Sequence, residues 1–145
     1  MPSETARPGR AGDPSADSIR RRWRSRRVVV RDASMAPTLL PGDRLLVDPA
    51  ALRDALPPLG SIVVARDPEQ ADRLLVKRVA ALPGERSPEG SIVPRGRVYL
   101  VGDDPATSRD SRAFGTVALD GLLGLAWYRY APPGRVGPLI GSRRA

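Results

Sequence analysis

Leu74-Leu75-Val76-Lys77-Arg78-Val79-Ala80-Ala81-Leu82, closed by Pro83-Gly84, decides how this chain folds and what it can do. Read as an extended strand, it sends alternate side chains to opposite faces, so Lys77 shares a face with Leu75, Val79 and Ala81. Lys77 is the sole lysine among 145 residues that include 23 arginines. Arginine keeps its proton in any protein environment, whereas an ammonium packed among aliphatic side chains loses hydration and part of its hold on the proton. At its ordinary pKa only about one lysine in 2,500 is neutral at pH 7. A pKa lowered by several units makes the amine a usable general base. Codon drift in an arginine-biased genome explains the scarcity of lysine, but not the place of the one that remains.

Working outward, the neighbouring segments share this short, punctuated character. Val28 to Val30, Arg44 to Val47, Ser61 to Ala65, Arg97 to Val101, Thr116 to Leu119 and Leu123 to Tyr130 are apolar runs bounded by Pro-Gly, Gly-Asp or Leu-Gly turns. Such runs predict an all-β, mostly antiparallel sheet or barrel in a single compact domain with little helix, one helical turn or two falling at Ala50 to Leu56. Sixteen prolines and 14 glycines agree with many turns, and with only 4% aromatic residues the core must be aliphatic. Residues 1–25, rich in Pro, Gly, Ser, Asp and Arg, are expected to form a disordered basic tail. The folded domain then spans 26–131, and 132–145 forms a second loose tail in which Pro138-Leu139-Ile140 can dock.

Composition also excludes chemistry. The chain has no histidine and no cysteine, which removes Ser-His-Asp triads, thiol nucleophiles, disulfides and Cys/His metal sites. A hydrolase built from this chain takes its base from lysine or a carboxylate. Of the net charge of +8, six positive charges fall between Arg20 and Arg27, so the rest of the chain nets only +2. That local run is a solvated flank or a contact for an anionic surface. No uncharged run is long enough for a spanning helix and the N-terminus has no apolar stretch, so no signal peptide and a cytoplasmic location are expected.

Three segments carry the candidate chemistry in series: Ser34-Met35-Ala36-Pro37-Thr38-Leu39; Lys77-Arg78-Val79-Ala80-Ala81-Leu82-Pro83-Gly84; and Gly102-Asp103 followed by Ser108-Arg109-Asp110-Ser111-Arg112-Ala113-Phe114-Gly115. In this order they resemble the sequence boxes of type I signal peptidases, the S26 serine proteases that use a Ser/Lys dyad, over about residues 28 to 130. The resemblance implies a signal-peptidase or LexA-like β fold with Ser34 as nucleophile and Lys77 as general base. It makes Ser108 the residue that orients the amine, and Asp110 and Arg112 a structural ion pair. Asp32, Met35 and Pro37 fall on the substrate and oxyanion side, where the Ser34 backbone N–H contributes to the oxyanion hole. Neither metal nor cofactor is implied.

The chain departs from that pattern at Asp32, where Ser or Gly is usual; an ionised carboxylate there must point away, be protonated, or serve another purpose. Asp104 replaces a usual Asn, Ala81 a common Gly and Glu85 a common Asp. Only Arg86 to Arg97 separates the second and third boxes, and no membrane anchor is apparent. Those features resemble the short, soluble nickel-type superoxide dismutase maturation proteases, which implies a precursor protein as partner, the pro-form of nickel superoxide dismutase, with no nucleic acid. A general signal peptidase attached peripherally to lipid and a non-catalytic peptide-binding relative remain as alternatives. A LexA-like repressor is disfavoured, because about 25 upstream residues are too few for a helix-turn-helix module.

Overall fold

The computed structural model describes residues 16–139. In chain order the elements are α1 (Ala16–Arg24), β1 (Arg26–Val29), β2 (Arg44–Asp48), β3 (Ile62–Arg66), β4 (Leu74–Ala81), β5 (Arg97–Val101), α2 (Ser111–Phe114), β6 (Val117–Ala118), β7 (Leu122–Ala131) and β8 (Gly137–Pro138). Single turns of 3-10 helix at Ala50–Leu52, Leu119–Gly121 and Pro133–Arg135 lie between them. The strands pair antiparallel in the order β1-β2-β7-β3-β4-β5-β6, with β8 added to β7. The result is the expected mostly antiparallel all-β fold, curved into a half-barrel.

Strand β3 shows why the sheet takes this form. Its residues Ile62, Val63, Val64 and Ala65 are all buried, so both faces of the strand need cover. Ile62 and Val64 pack with Val30, Met35, Leu39, Leu45, Val47 and Ala126 on one face. Val63 and Ala65 pack with Val79, Val98, Leu100 and Val117 on the other. A strand buried on both faces belongs in the centre of a sheet, and β3 lies between β4 and β7. Both clusters are aliphatic, and each fully buried Val or Leu in them contributes about 1.5–3 kcal/mol.

The folded part of the chain extends beyond 26–131 at both ends. Residues 16–24 form α1, because Arg21 and Arg24, three apart and so on one helix face, both reach Asp48 at the end of β2. Arg21 Nε donates to Asp48 Oδ2 at 2.9 Å, and Arg24 donates through Nε and Nη2 at 3.0 and 2.9 Å. The Asp48 side chain is fully buried, and a buried carboxylate requires such partners. Arg21 also stacks 4.7 Å from the centre of the Trp127 ring, whose Nε1 donates to Ser25 Oγ at 2.8 Å. The remainder of the tail expected over 1–25, residues 1–15, lies outside the described residues. At the other end, β8 pairs with β7, Arg135 bonds to Asp43, and Leu139 packs against the first core cluster. Residues 132–139 are therefore part of the fold, and 140–145 lie outside the described residues. Among the described residues no helix is long and apolar enough to cross a membrane.

Candidate active site

The Ser34 turn is pinned at both ends. Val30 and Asp43 close the loop through Val30 N to Asp43 O and Gly42 N to Val30 O, each 2.8 Å. Within it, Ala36 N donates to Ala33 O and Leu39 N to Met35 O. Met35 and Leu39, at 1% and 0% exposure, anchor the turn in the core. Asp43 fastens its far side, accepting from Leu40 N and from the guanidiniums of Arg129 and Arg135. Ser34 is held at 4% exposure at the edge of a groove of about 560 Å³. Val28 to Asp32 and Arg73, Leu74 and Val76 form the walls of that groove.

Lys77 enters from β4, where Leu75, Lys77, Val79 and Ala81 all point inward. Lys77 is 3% exposed, and its Nζ lies 3.0 Å from Ser108 Oγ. Ser108 gives its own proton to Asp110 Oδ2 at 2.5 Å. Its oxygen therefore faces the amine as an acceptor, takes one N–H, and leaves the lone pair of the neutral amine to aim elsewhere. Burial pushes the Lys77 pKa down. The charges of Asp32 and Asp110 oppose that shift, those of Arg109 and Arg112 add to it, and the net direction is downward.

Asp110 organises this side of the site. Its carboxylate is fully buried and accepts from Ser108, from Gly102 N at 2.8 Å, from Arg112 N at 3.1 Å and from the Arg112 guanidinium. Burial alone would raise its pKa, but the bonds from Arg112, Ser108 and Gly102 together hold it far below the usual carboxylate range. Asp110 also caps α2, and the next residue, Ser111, accepts from Leu100 N at 2.9 Å. Ser108 is thus held by a rigid partner rather than by a mobile loop.

A second carboxylate, Asp103, ties the three segments together. Arg78 donates to it through Nε and Nη2 at 2.8 and 2.7 Å, and Thr38 Oγ1 donates at 2.6 Å. Thr38 follows Ser34 in its turn, Arg78 follows Lys77, and Asp103 follows Gly102, so one carboxylate sets the spacing of all three. Gly102 lies where the segments touch. A Cβ there would stand 2.2 Å from Ser108 Oγ and 2.5 Å from Ser34 O.

Lys77, Ser108, Asp110 and Arg112 form one hydrogen-bonded chain, and the Ser34 turn adjoins it at Gly102, with Asp32 beside Ser34. Pro37, on the outer side of the turn, is exposed and follows a cis peptide bond. Met35 lines the groove, although nearly all of its side chain packs into the core below. The clamp at Asp103 and the close contact at Gly102 were missed by sequence reasoning. Both residues lie in the third segment, but their partners are visible only across the sheet.

The family model for signal peptidase, peptidase S26, matches residues 19–88 and 86–131. The chain belongs to the peptidase S26 family. It is 37% identical over 118 residues to the mitochondrial ATP-independent inner membrane protease subunit 1b of Arabidopsis thaliana, covering 73% of this chain and 70% of that protein. It is 30% identical over 139 residues to the probable signal peptidase I-1 of Synechocystis, covering 73% and 71%. Signal peptidase IB of Staphylococcus aureus is 23% identical over 147 residues, covering 71% and 76%. These S26 relatives are inner membrane protease subunits and signal peptidases, so the narrower resemblance to nickel superoxide dismutase maturation proteases rests on the segment spacing alone.

Proposed function

We propose that this S26 protein is a serine endopeptidase working through Ser34 and Lys77. The observation that carries the reading is the state of the sole lysine: buried, pushed toward neutrality, and bonded to a serine whose own proton is committed to Asp110. Ser34 Oγ attacks a peptide carbonyl while Lys77 Nζ accepts the hydroxyl proton, and the Ser34 N–H steadies the developing oxyanion. Collapse of the tetrahedral species breaks the C–N bond, and Lys77 returns the proton to the departing amine. Water, deprotonated by Lys77, then cleaves the ester and frees Ser34. The groove supports an extended substrate, because β1 is an edge strand and offers its open side to a peptide in the manner of an added strand.

The substrate in this proposal is a precursor carrying an N-terminal extension, specifically the pro-form of nickel superoxide dismutase, processed in the cytoplasm. Support comes from the short connection between β4 and β5, which holds only a small turn bridged at Arg86 and Ile92. Incubation of the purified protein with that precursor should yield a single new N-terminus by mass spectrometry, lost in Ser34→Ala. Cleavage of an Ala-x-Ala signal peptide but not of the precursor would replace it with a general signal peptidase.

One surface favours a second reading, attachment to a membrane, the location named for the Arabidopsis relative. On α1, Trp23 is 84% exposed and Ile19 is exposed beside Arg20 and Arg22. Ile19, Arg22 and Trp23 border a groove shared with Trp127 and Tyr130. Aromatic and basic side chains in this arrangement suit an anionic interface. Co-sedimentation with phosphatidylserine vesicles at low salt, lost in Trp23→Ala and at high salt, is the expected result; no sedimentation at low salt removes the reading.

A further inference from the structure

In the free protein the amide of the nucleophile already has a partner. Ser34 N donates to Asp32 Oδ1 at 3.0 Å, and that amide is the donor a substrate carbonyl oxygen needs. Burial would raise the Asp32 pKa, but the Ser34 backbone N–H and side chain and the charges of Lys77 and Arg73 together keep it below the usual range. The carboxylate is therefore ionised. It neither points away nor carries a proton, the two simpler answers to the presence of an acid at this position.

The two carboxylates that act on Lys77 are held very differently. Asp110 is fully buried and locked by Ser108, Gly102 and Arg112. Asp32 is exposed and, among the described residues, is bonded only within its own turn, to Ser34. Of the two, only Asp32 has both room and reason to move. An anion left beside the amide would repel the oxyanion that forms in catalysis, and while in place it favours the charged ammonium of Lys77.

Resting on the proteolytic reading above, we propose that Asp32 is a positioning residue that acts as a substrate-displaced latch. Its carboxylate covers the Ser34 amide, and its charge favours the protonated form of Lys77, until a peptide carbonyl takes the amide and dislodges it. The displaced carboxylate turns toward Arg73 and solvent. Lys77, left facing Asp110, Arg109 and Arg112, gives up its proton to water more readily and serves as the base. Loading of substrate thereby shifts the amine further toward its neutral, basic form.

A single lysine makes this directly measurable. Protein labelled with lysine enriched in ¹³C at Cε gives one lysine signal, whose pH titration reports Lys77 without any substrate. Asp32→Asn keeps an oxygen for the Ser34 amide but removes the charge; Asp32→Ala removes both. The Lys77 midpoint is expected to fall in both variants. KM for the precursor is expected to fall about tenfold in Asp32→Ala, where no side-chain acceptor competes for the amide, and to change little in Asp32→Asn, where the amide oxygen still does. A simple turn-stabilising role also lowers the midpoint in both variants, but it predicts a weakened fold and no fall in KM for Asp32→Ala. The same midpoint in all three proteins overturns the latch whatever the substrate, as does a KM in Asp32→Ala at or above wild type. A lowered midpoint in a protein that cleaves no precursor would support the electrostatic coupling and count against the proteolytic reading.

Discussion

Lys77→Arg should reduce kcat by about 10²–10⁴-fold, the contribution of a positioned general base, while Lys77→Met should fail equally and keep the fold. Arginine preserves the charge but never surrenders its proton; methionine preserves much of the length and apolar stem but has no basic nitrogen. Loss in both variants, with thermal melts near wild type for the methionine variant, isolates proton acceptance as the property that matters. The pH dependence has a definite sign. The amine works only when deprotonated, so kcat/KM should rise as pH climbs through the lowered Lys77 pKa. Falling pH restores the ammonium and stops the reaction, although the fold keeps its other ion pairs. Full activity in Lys77→Arg would remove the general-base role.

Gly102→Ala should be nearly as damaging, from a site that carries no functional group. A Cβ at this position would lie 2.2 Å from Ser108 Oγ, 2.6 Å from Ser108 Cβ and 2.5 Å from Ser34 O. The serine carbonyl cannot yield cheaply, because it accepts from Asp104 N at 2.9 Å. Overpacking of this kind costs about 1–3 kcal/mol of stability. A displacement of about 1 Å between reacting groups costs about 10²-fold in rate. Urea unfolding and precursor cleavage measured together should show both losses. Gly84→Ala is the control: its φ is +85° but a Cβ there meets nothing within 4 Å, so it should lose about 1 kcal/mol from backbone strain and retain activity. Equal activities for the two variants would refute the tight contact.

Much of this architecture was legible in the residues, for a local reason. Alternation along β4 placed Lys77 on the face of Leu75, Val79 and Ala81, and that is where it lies. Turn residues bounded the other strands to within a residue or two, since Gly and Pro punctuate the chain without reference to distant partners. The helix α1 was not legible. Its sequence is arginine-rich and has no buried residue, so nothing nearby explains its order; its anchor, Asp48, is supplied by a strand 24 and 27 residues farther on. The same holds for Arg135, whose partner Asp43 is 92 residues away. Asp32 illustrates the limit within the site itself: its identity raised the question of the oxyanion, and only its position on the Ser34 amide answers it.

By itself the sequence determined an aliphatic, antiparallel β domain, a site restricted to serine, lysine and carboxylate chemistry, and the strand face on which the one lysine would be buried. These follow from composition, from the two-residue period of a strand and from turn propensity, all properties of neighbours in the chain. Only the tertiary structure decided that β7 would pass between β2 and β3, that Asp103 would join three separated segments, and that Ser108 would turn its oxygen to Lys77 while Asp32 covered the Ser34 amide. Hydrogen bonds and ion pairs act over a few ångströms, and which groups come that close is settled by how the strands are laid side by side, not by their order along the chain.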